Sequence, residues 1–433
     1  PRPGDLVVLD VTLLNKDGMV RDPRQLKQRI LAYLLTCNKA PISSHRDVSL
    51  NLKKQNPKAS HVLDCTLYIK KRKLDIDRQA ETRLAVIKNI NPDLRQFNAL
   101  DQLSSSPLLS IICDPMKNTQ PLPTIDTQQN LHAQIMQDRL NPSQKKAVLT
   151  VAKACLTQSN SIHLIHGPPG CGKSEVIMGI ILQMWLDKRG GNNSMRILLC
   201  APSNAAIDDI FLRLMNFRQN CLINAPKYNM VRVGRSENKS INNLTLDTIV
   251  QNELKKQKSK LNDEEEKLVE LSHLEAKKNQ LTYQIENLGK KKNDFRYIQT
   301  LQTKLADTIK TIKELECGKT KKVSEVKQER EKKRNMELRV LENAHIIVTT
   351  LSSCYNSQME MAHMQKKLKW TCCIVDEATQ CIEPDNLIPL MLGVNNLVLV
   401  GDPQQLPATV LSETAKEHGL GRSLFARQRD WWQ

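Results

Sequence analysis

Closely paired cysteines are missing from this sequence. No CxxC occurs, and most of the 12 cysteines stand singly in apolar runs, such as Cys113 in LLSIICD, Cys200 in ILLCAP, and Cys372 and Cys373 in TCCIVDE. Zinc sites show close ligand pairs and disulfide frameworks belong to small secreted domains. The absence therefore argues against both and for buried, reduced thiols of the cytosol or nucleus. Long apolar runs are missing too: none approaches the ~20 residues of a membrane span. The opening PRPGDLVVLD also lacks the basic-then-apolar order of a signal peptide, so no membrane partner is expected. A start at Pro1 rather than Met reads as an excised segment.

What is present is positive charge. The 433 residues carry a formal net charge of +18 and a pI near 9.4. Such a chain accumulates near polyanions, which puts nucleic acid first among partner classes, although charge alone does not separate RNA, DNA and acidic membrane surfaces. A hydrophobic content of 40% is enough to build real cores in roughly two or three domains and argues against a disordered tail.

Residues 1–115 mix alternating or apolar runs (GDLVVLDVTLL, SHVLDCTLYIKK, RLAVIKNI) with polar stretches, the longest at residues 38–60. Short, β-branched strands separated by more than hairpin turns suit a β-rich, barrel-like accessory module better than a long flat sheet. A polar linker with Pro115, Pro121 and Pro123 follows. Residues 116–247 and 342–433 then read as two parts of one α/β domain, because the apolar runs SIHLIHG, MRILLCAP, AHIIVTT, KWTCCIVDEA and NNLVLVGD alternate with helical patterns. That alternation predicts at least five parallel strands buried on both faces. Between the two parts, residues 248–341 are rich in Lys, Glu, Gln and Leu. Leu254, Leu261 and Leu268 recur seven apart, and Leu274, Leu281 and Leu288 do so in a shifted phase. This is a coiled-coil signature with a stutter. A turn at GKKKND, residues 289–294, would fold it into a hairpin reaching ~60 Å at about 1.5 Å per residue, with Gly318 a weakness in the returning helix. A solvated spacer competes with a lever beside a nucleic-acid path, or with a surface for a protein partner.

The run HGPPGCGKS, His166 to Ser174, holds GxxxxGK[ST] after an apolar strand and before a helix. Gly167, Pro168, Pro169, Gly170, Cys171 and Gly172 would leave backbone N–H groups free to curl round phosphates. Lys173 would reach the β- and γ-phosphates, and Ser174 would ligate Mg²⁺. CCIVDEATQ ends a buried strand in two carboxylates: Asp376 to hold Mg²⁺, Glu377 to position and deprotonate water. In VGDPQQLP, Gln404 at a strand tip could bond a γ-phosphate and sense hydrolysis. These tips converge on the carboxyl edge of one sheet, where ligands of open α/β folds bind. Upstream, in LNPSQ, Gln144 could read the adenine edge and so select ATP, while Asn141 or Ser143 could equally be an ordinary helix cap.

Together LNPSQKKAV, GPPGCGKS, APSNAAIDDI, VRVGR, IIVTTLSS, IVDEATQ and VGDPQQLPA resemble superfamily 1 helicases of the up-frameshift and senataxin group. The resemblance covers essentially the whole chain. GDLVVL, FNAL and SPLLSIICDP are similar to that group's accessory barrel and stalk, and the helical insert sits where the group carries a second accessory subdomain. The resemblance implies a RecA-like P-loop NTPase lobe using ATP and Mg²⁺, with Gln144 reading adenine and Gln404 sensing the γ-phosphate. It also implies single-stranded RNA or DNA contacts from Pro202, Ser203, Asn204, Thr349 and Thr350, gripping phosphates without sequence choice. Ser203 and Asn204 could instead simply cap the following helix.

One departure stands out. The group has a second motor lobe whose arginines complete the ATP site, and this sequence stops at DWWQ. A missing arginine finger costs roughly 10³ to 10⁵ in turnover, so nucleotide binding with weak or absent unwinding is expected of this segment. Trp431 and Trp432 match nothing expected there. The first functional expectation is an ATP-dependent RNA/DNA helicase translocating on one strand, as the resemblance implies in the 5′ to 3′ direction, and opening duplexes or RNA–DNA hybrids. The alternative is a non-catalytic nucleic-acid-binding scaffold, against which the intact Lys173, Asp376, Glu377 and Gln404 argue. A GTP switch is disfavoured by Gln144 and the lack of an NKxD-like guanine reader. KKRK (residues 70–73) and EKKR (residues 331–334) are candidate nuclear-import patches, more often solvated or nucleic-acid-facing.

Overall fold

The computed structural model describes residues 1–12, 27–41, 61–69, 81–117, 131, 134–157, 160–187, 195–220, 228–236, 238–256, 274, 277–279, 281–282, 303–309 and 325–431. They divide into two compact units, Pro1–Ser105 and Ser106–Gln433. The division falls ahead of the boundary at 115 expected from composition.

In the first unit β1 (Asp5–Thr12), β2 (Lys27–Pro41), β3 (His61–Tyr68) and β4 (Glu81–Asn89) form an antiparallel sheet in the order β3-β2-β1-β4. Pairing of Val7 with Ala32 and Leu9 with Ile30 puts these four on one face. They make a small core, with Leu67, Ile69 and Leu84 packed against it, as the two-residue pleat requires. β2 runs for 15 residues, longer than the short strands expected. A register shift at Leu34/Thr36 in its pairing with β3 gives β2 the local twist that bulges supply, and a second, at Leu6/Val7, lies where β1 pairs with β4. Among the described residues β3 and β4 are edges, an open sheet rather than a closed barrel. The helix Asn91–Asp101 follows.

In the second unit six strands are all parallel, in the order β5-β10-β9-β6-β8-β7. β5 is Ser161–His166, β6 Ile197–Ala201, β7 Met230–Val233, β8 Ile346–Thr350, β9 Cys372–Val375 and β10 Asn396–Gly401. Five are the apolar runs read above. The sixth, β7, overlaps the start of the VRVGR motif. Helix Lys173–Leu186 is buried nearly all round, from Val176 to Trp185, as a core helix must be. Helix Pro142–Thr157 crosses it closely at Gly179, where a Cβ would sit 2.8 Å from Val148 Cγ2.

Cys200, Cys372 and Cys373 are fully buried as expected. Cys113 is not: it ends the helix Leu109–Cys113 facing solvent, while Ile111 and Ile112 turn inward. Of the insertion, residues 246–256 and Glu325–Glu342 are helical, with residues 331–334 exposed. Leu261, Leu268, Leu288, the turn at 289–294, Gly318 and Trp432 lie outside the described residues. Trp431 is exposed at the end of the helix Leu424–Asp430. Among the described residues no helix is long and apolar enough to cross a membrane.

Candidate active site

The order β5-β10-β9 sets three strand ends side by side. His166 is in register with Gly401, and Leu399 with Val375. The loop after β5 turns on Gly170 (φ +72°) and Gly172 (φ +83°), both in the left-handed region that glycine enters without a Cβ penalty. Lys173 Nζ donates to the carbonyls of Gly167 (3.0 Å) and Pro168 (3.4 Å), so the loop curls over its own ammonium. A Cβ on Gly167 would collide with Cys171 Sγ: the thiol occupies the space beside Gly167. Ser174 is half-buried in the first turn of the helix.

Gln144 meets this loop directly. Its Nε2 donates to the Cys171 carbonyl (2.7 Å), and its Oε1 accepts from Asn141 N (2.8 Å) while Asn141 Oδ1 accepts from Gln144 N (2.9 Å). The helix-cap role weighed for Asn141 is thus realised as a reciprocal capping pair. The Gln144 amide still has one N–H and one lone pair beyond these bonds.

Asp376 follows β9 and is only 6% exposed. Its Oδ1 is buried without a hydrogen-bond partner. Burial, and next the charge of Glu377, push this carboxyl up to about 6; Lys173 pulls the other way and Asp209 adds to the push. Glu377 sits at φ 51°, ψ 37°, a left-handed conformation costly for a side-chain-bearing residue and typical of functional turns. Its Oε2 accepts from Gln380 Nε2 (3.0 Å).

The turn after β10 is organised by Asp402. Its Oδ1 accepts from Gln404 N (3.1 Å) and His166 Nε2 (3.2 Å), and its Oδ2 accepts from Gln405 Nε2 (3.1 Å). The bonds from Gln404 and then Gln405 hold its carboxyl below the usual range. Asp402 N donates to Thr379 Oγ1 (3.3 Å), and Thr379 packs so closely that a Cβ on Gly401 would meet its Cγ2 at 2.9 Å. The Gln404 side chain is exposed.

The residues expected to touch nucleic acid gather further along the same sheet edge, since Ala201 pairs with Thr350. Pro202 is half-buried, Ser203 and Asn204 exposed. Ser203 Oγ accepts from Ala206 N (3.2 Å) as a helix cap, and Asn204 Oδ1 accepts from Arg232 Nη2 (2.8 Å). Thr349 has no exposed surface, Thr350 is 8% exposed, and the Thr349 hydroxyl turns to the Thr350 carbonyl (3.4 Å). The Thr349 side chain is therefore directed into the sheet, because alternate residues of a central strand face its helices.

Sequence reasoning passed over His166, Thr379, Asp402, Asp209 and Arg232. All five lie inside quoted motifs, but the pairing of His166 with Asp402 spans 236 residues, and spacing along a chain carries no trace of it.

The AAA domain family matches residues 139–413, which takes in all of these elements. The probable helicase senataxin of Homo sapiens is 33% identical over 314 residues, 66% of this chain and 11% of that protein. The helicase SEN1 of Saccharomyces cerevisiae is 32% identical over 319 residues, 67% of this chain and 14% of that protein. The DNA polymerase alpha-associated DNA helicase A of the same yeast is 27% identical over 361 residues, 80% and 45% respectively. The chain thus spans well under a fifth of the length of senataxin and SEN1. With a parallel six-stranded P-loop sheet, an AAA-domain match and these relatives, the chain belongs to the senataxin-like helicases of superfamily 1.

Proposed function

We propose that this chain binds ATP with Mg²⁺ at the β5, β9 and β10 strand ends and that its protein couples hydrolysis to movement along single-stranded RNA or DNA, opening duplexes or RNA–DNA hybrids. The observation that carries this reading is Asp376: a buried carboxyl with an orphan oxygen, beside Lys173, at the mouth of a glycine loop. A buried acceptor without a partner is costly, and a divalent cation is the partner that would satisfy it.

Asp376 and Ser174 would hold the metal, which supplies charge neutralisation at the β- and γ-phosphates. Lys173, now on the Gly167 and Pro168 carbonyls, would exchange these for phosphate oxygens, with the loop N–H groups of residues 167–172 around them. Glu377 would orient water and accept its proton. The free N–H and lone pair of Gln144 match the donor–acceptor edge of adenine. Ser203, Asn204 and the end of β8 at Thr350 would meet the nucleic-acid backbone, with Thr349 supporting from within the strand. The exposed basic patch at residues 331–334 is consistent with work in the nucleus.

The test compares Mg²⁺-dependent ATP binding by the 433-residue chain, and RNA-stimulated turnover by its full natural protein, with and without Lys173→Ala. Loss of both in the variant, by about tenfold or more as expected for a charged phosphate contact, supports the reading. RNA binding with no Lys173-dependent nucleotide binding or turnover would replace the motor by a scaffold.

A further inference from the structure

His166 stands between the phosphate loop and the turn that carries Gln404, yet no step above uses it. It is the last residue of β5, in register with Gly401 at the end of β10. The two strands are tied again one residue on, where Gly167 N donates to the Gly401 carbonyl (3.3 Å). Across this seam His166 Nε2 lies 3.2 Å from Asp402 Oδ1. The carboxylate can only accept, so Nε2 carries the hydrogen, in the neutral or the charged ring alike. Asp402, 2% exposed, uses its remaining capacity on Gln404 N and Gln405 Nε2. Its own N–H goes to Thr379, in the turn that follows Asp376 and Glu377. One buried carboxylate thus joins the ends of β5, β9 and β10, and His166 is the β5 arm.

The imidazole has an aromatic neighbour as well. Phe425 meets it edge-on, ring centroids 6.2 Å apart and 68° between planes. Phe425 is fully buried on the helix Leu424–Asp430. That helix is fixed by the paired bonds of Arg427 to Glu383 (2.8 and 2.6 Å) and by Gln428 Nε2 to the Ile112 carbonyl (3.0 Å). The ring thus has a hydrogen-bond partner in Asp402 and an aromatic neighbour in Phe425, although 45% of it is exposed.

We propose that His166 is a positioning residue: through its Nε2–H it holds Asp402, and through Asp402 it keeps the Gln404 turn in register with the phosphate loop, so that the two sides of the nucleotide's phosphate tail are read together. The inference rests on the ATP-binding reading above. In this role His166 acts through Asp402, so its signature is discrimination between nucleotides that differ at the terminal phosphate rather than binding as such.

The experiment measures affinity of the 433-residue chain for a non-hydrolysable ATP analogue and for ADP, each with Mg²⁺, together with the thermal midpoint. The variants are His166→Ala, His166→Gln and His166→Asn, with Lys173→Ala as control. A glutamine amide nitrogen reaches about as far as Nε2, whereas an asparagine nitrogen stops near Nδ1. The expected result is that Ala and Asn lower the preference for the ATP analogue over ADP by about tenfold, the equivalent of one charge-assisted hydrogen bond. Gln should retain it, with ADP affinity and midpoint close to wild type in all three. Unchanged discrimination in His166→Ala overturns the inference while leaving the ATP reading intact. So does a loss shared equally by Ala, Asn and Gln, or one that follows a fall in midpoint. Absence of any Lys173-dependent nucleotide binding in the wild type overturns both.

Discussion

Burial acts on Asp376 and His163 with opposite consequences for stability. The Asp376 carboxyl titrates near 6 in the folded chain against 3.8 for an unhindered one. Between those values the folded chain binds more protons than the unfolded one, and stability falls as pH rises, by about 3 kcal/mol across the window. His163, 8% exposed on β5, has its imidazole pushed down by burial to about 4 from 6.5. Over that range the folded chain binds fewer protons, so stability rises with pH, again by about 3 kcal/mol. From about pH 4 to 6 the two slopes nearly cancel. Asp376→Asn removes one of them. Without Mg²⁺ or nucleotide, the variant should be more stable than wild type at pH 7 by up to about 3 kcal/mol, and it should lose stability steeply on acidification where wild type stays flatter. Urea unfolding at pH 4.5 and 7 checks this; equal pH slopes in the two proteins would mean that burial does not govern Asp376. Neither shift was readable from sequence, because Asp376 announces its chemistry by its neighbours in VDEA but its environment is made by Cys200, Glu377, Lys173 and Asp209.

Strands β5, β6, β8, β9 and β10 were legible because each is an apolar run long enough to be buried on both faces. β7 was not, since its four residues MVRV place an arginine in the middle. Arg232 is nonetheless 0% exposed. Its Nε lies 2.8 Å from Asp208 Oδ1, Nη2 reaches Asn204 Oδ1 (2.8 Å) and the Arg235 carbonyl (3.1 Å), and Nη1 donates to the Val233 carbonyl. Ser236 Oγ satisfies the other Asp208 oxygen (2.7 Å). The planar guanidinium thereby ties an edge strand to the first turns of the helix Asn204–Asn220, where nucleic acid is proposed to meet Ser203 and Asn204. Removing only the cation would leave Asp208 buried and uncompensated, so Arg232→Ala should destabilise by about 3–5 kcal/mol. A lysine ammonium has three donors on one nitrogen and cannot span the four acceptors placed around the guanidinium, so Arg232→Lys should recover little of that. Arg232→Ala combined with Asp208→Ala should cost less than the sum of the two alone. A double-mutant cycle by denaturant unfolding measures the difference, and strict additivity would show the pair to be uncoupled. In the accessory sheet the length of β2 depends on which residues pair across it, which no local pattern along the chain records.

At the scale of the whole molecule, charge and site would make separate contributions to the proposed nucleic-acid binding. A net charge of +18 supplies attraction that no single residue owns, whereas Pro202, Ser203, Asn204 and Thr350 occupy one short stretch of a sheet edge. Backbone and hydroxyl contacts of that kind read phosphates and sugars rather than base edges. Affinity for a single strand should therefore depend strongly on salt and weakly on sequence. If about five phosphates are engaged, each contributing a log–log slope of about 0.7, the dissociation constant for single-stranded RNA should rise roughly a hundredfold between about 50 and 200 mM salt. Oligonucleotides of equal length and different sequence should bind within about threefold of one another. Fluorescence anisotropy over a salt series reads both quantities. A flat salt response would remove the electrostatic argument drawn from the net charge of +18. A steep response accompanied by strong sequence preference would mean that base-reading side chains outside this sheet edge dominate, and the search for them would move to the accessory unit Pro1–Ser105 and to the basic helix Glu325–Glu342.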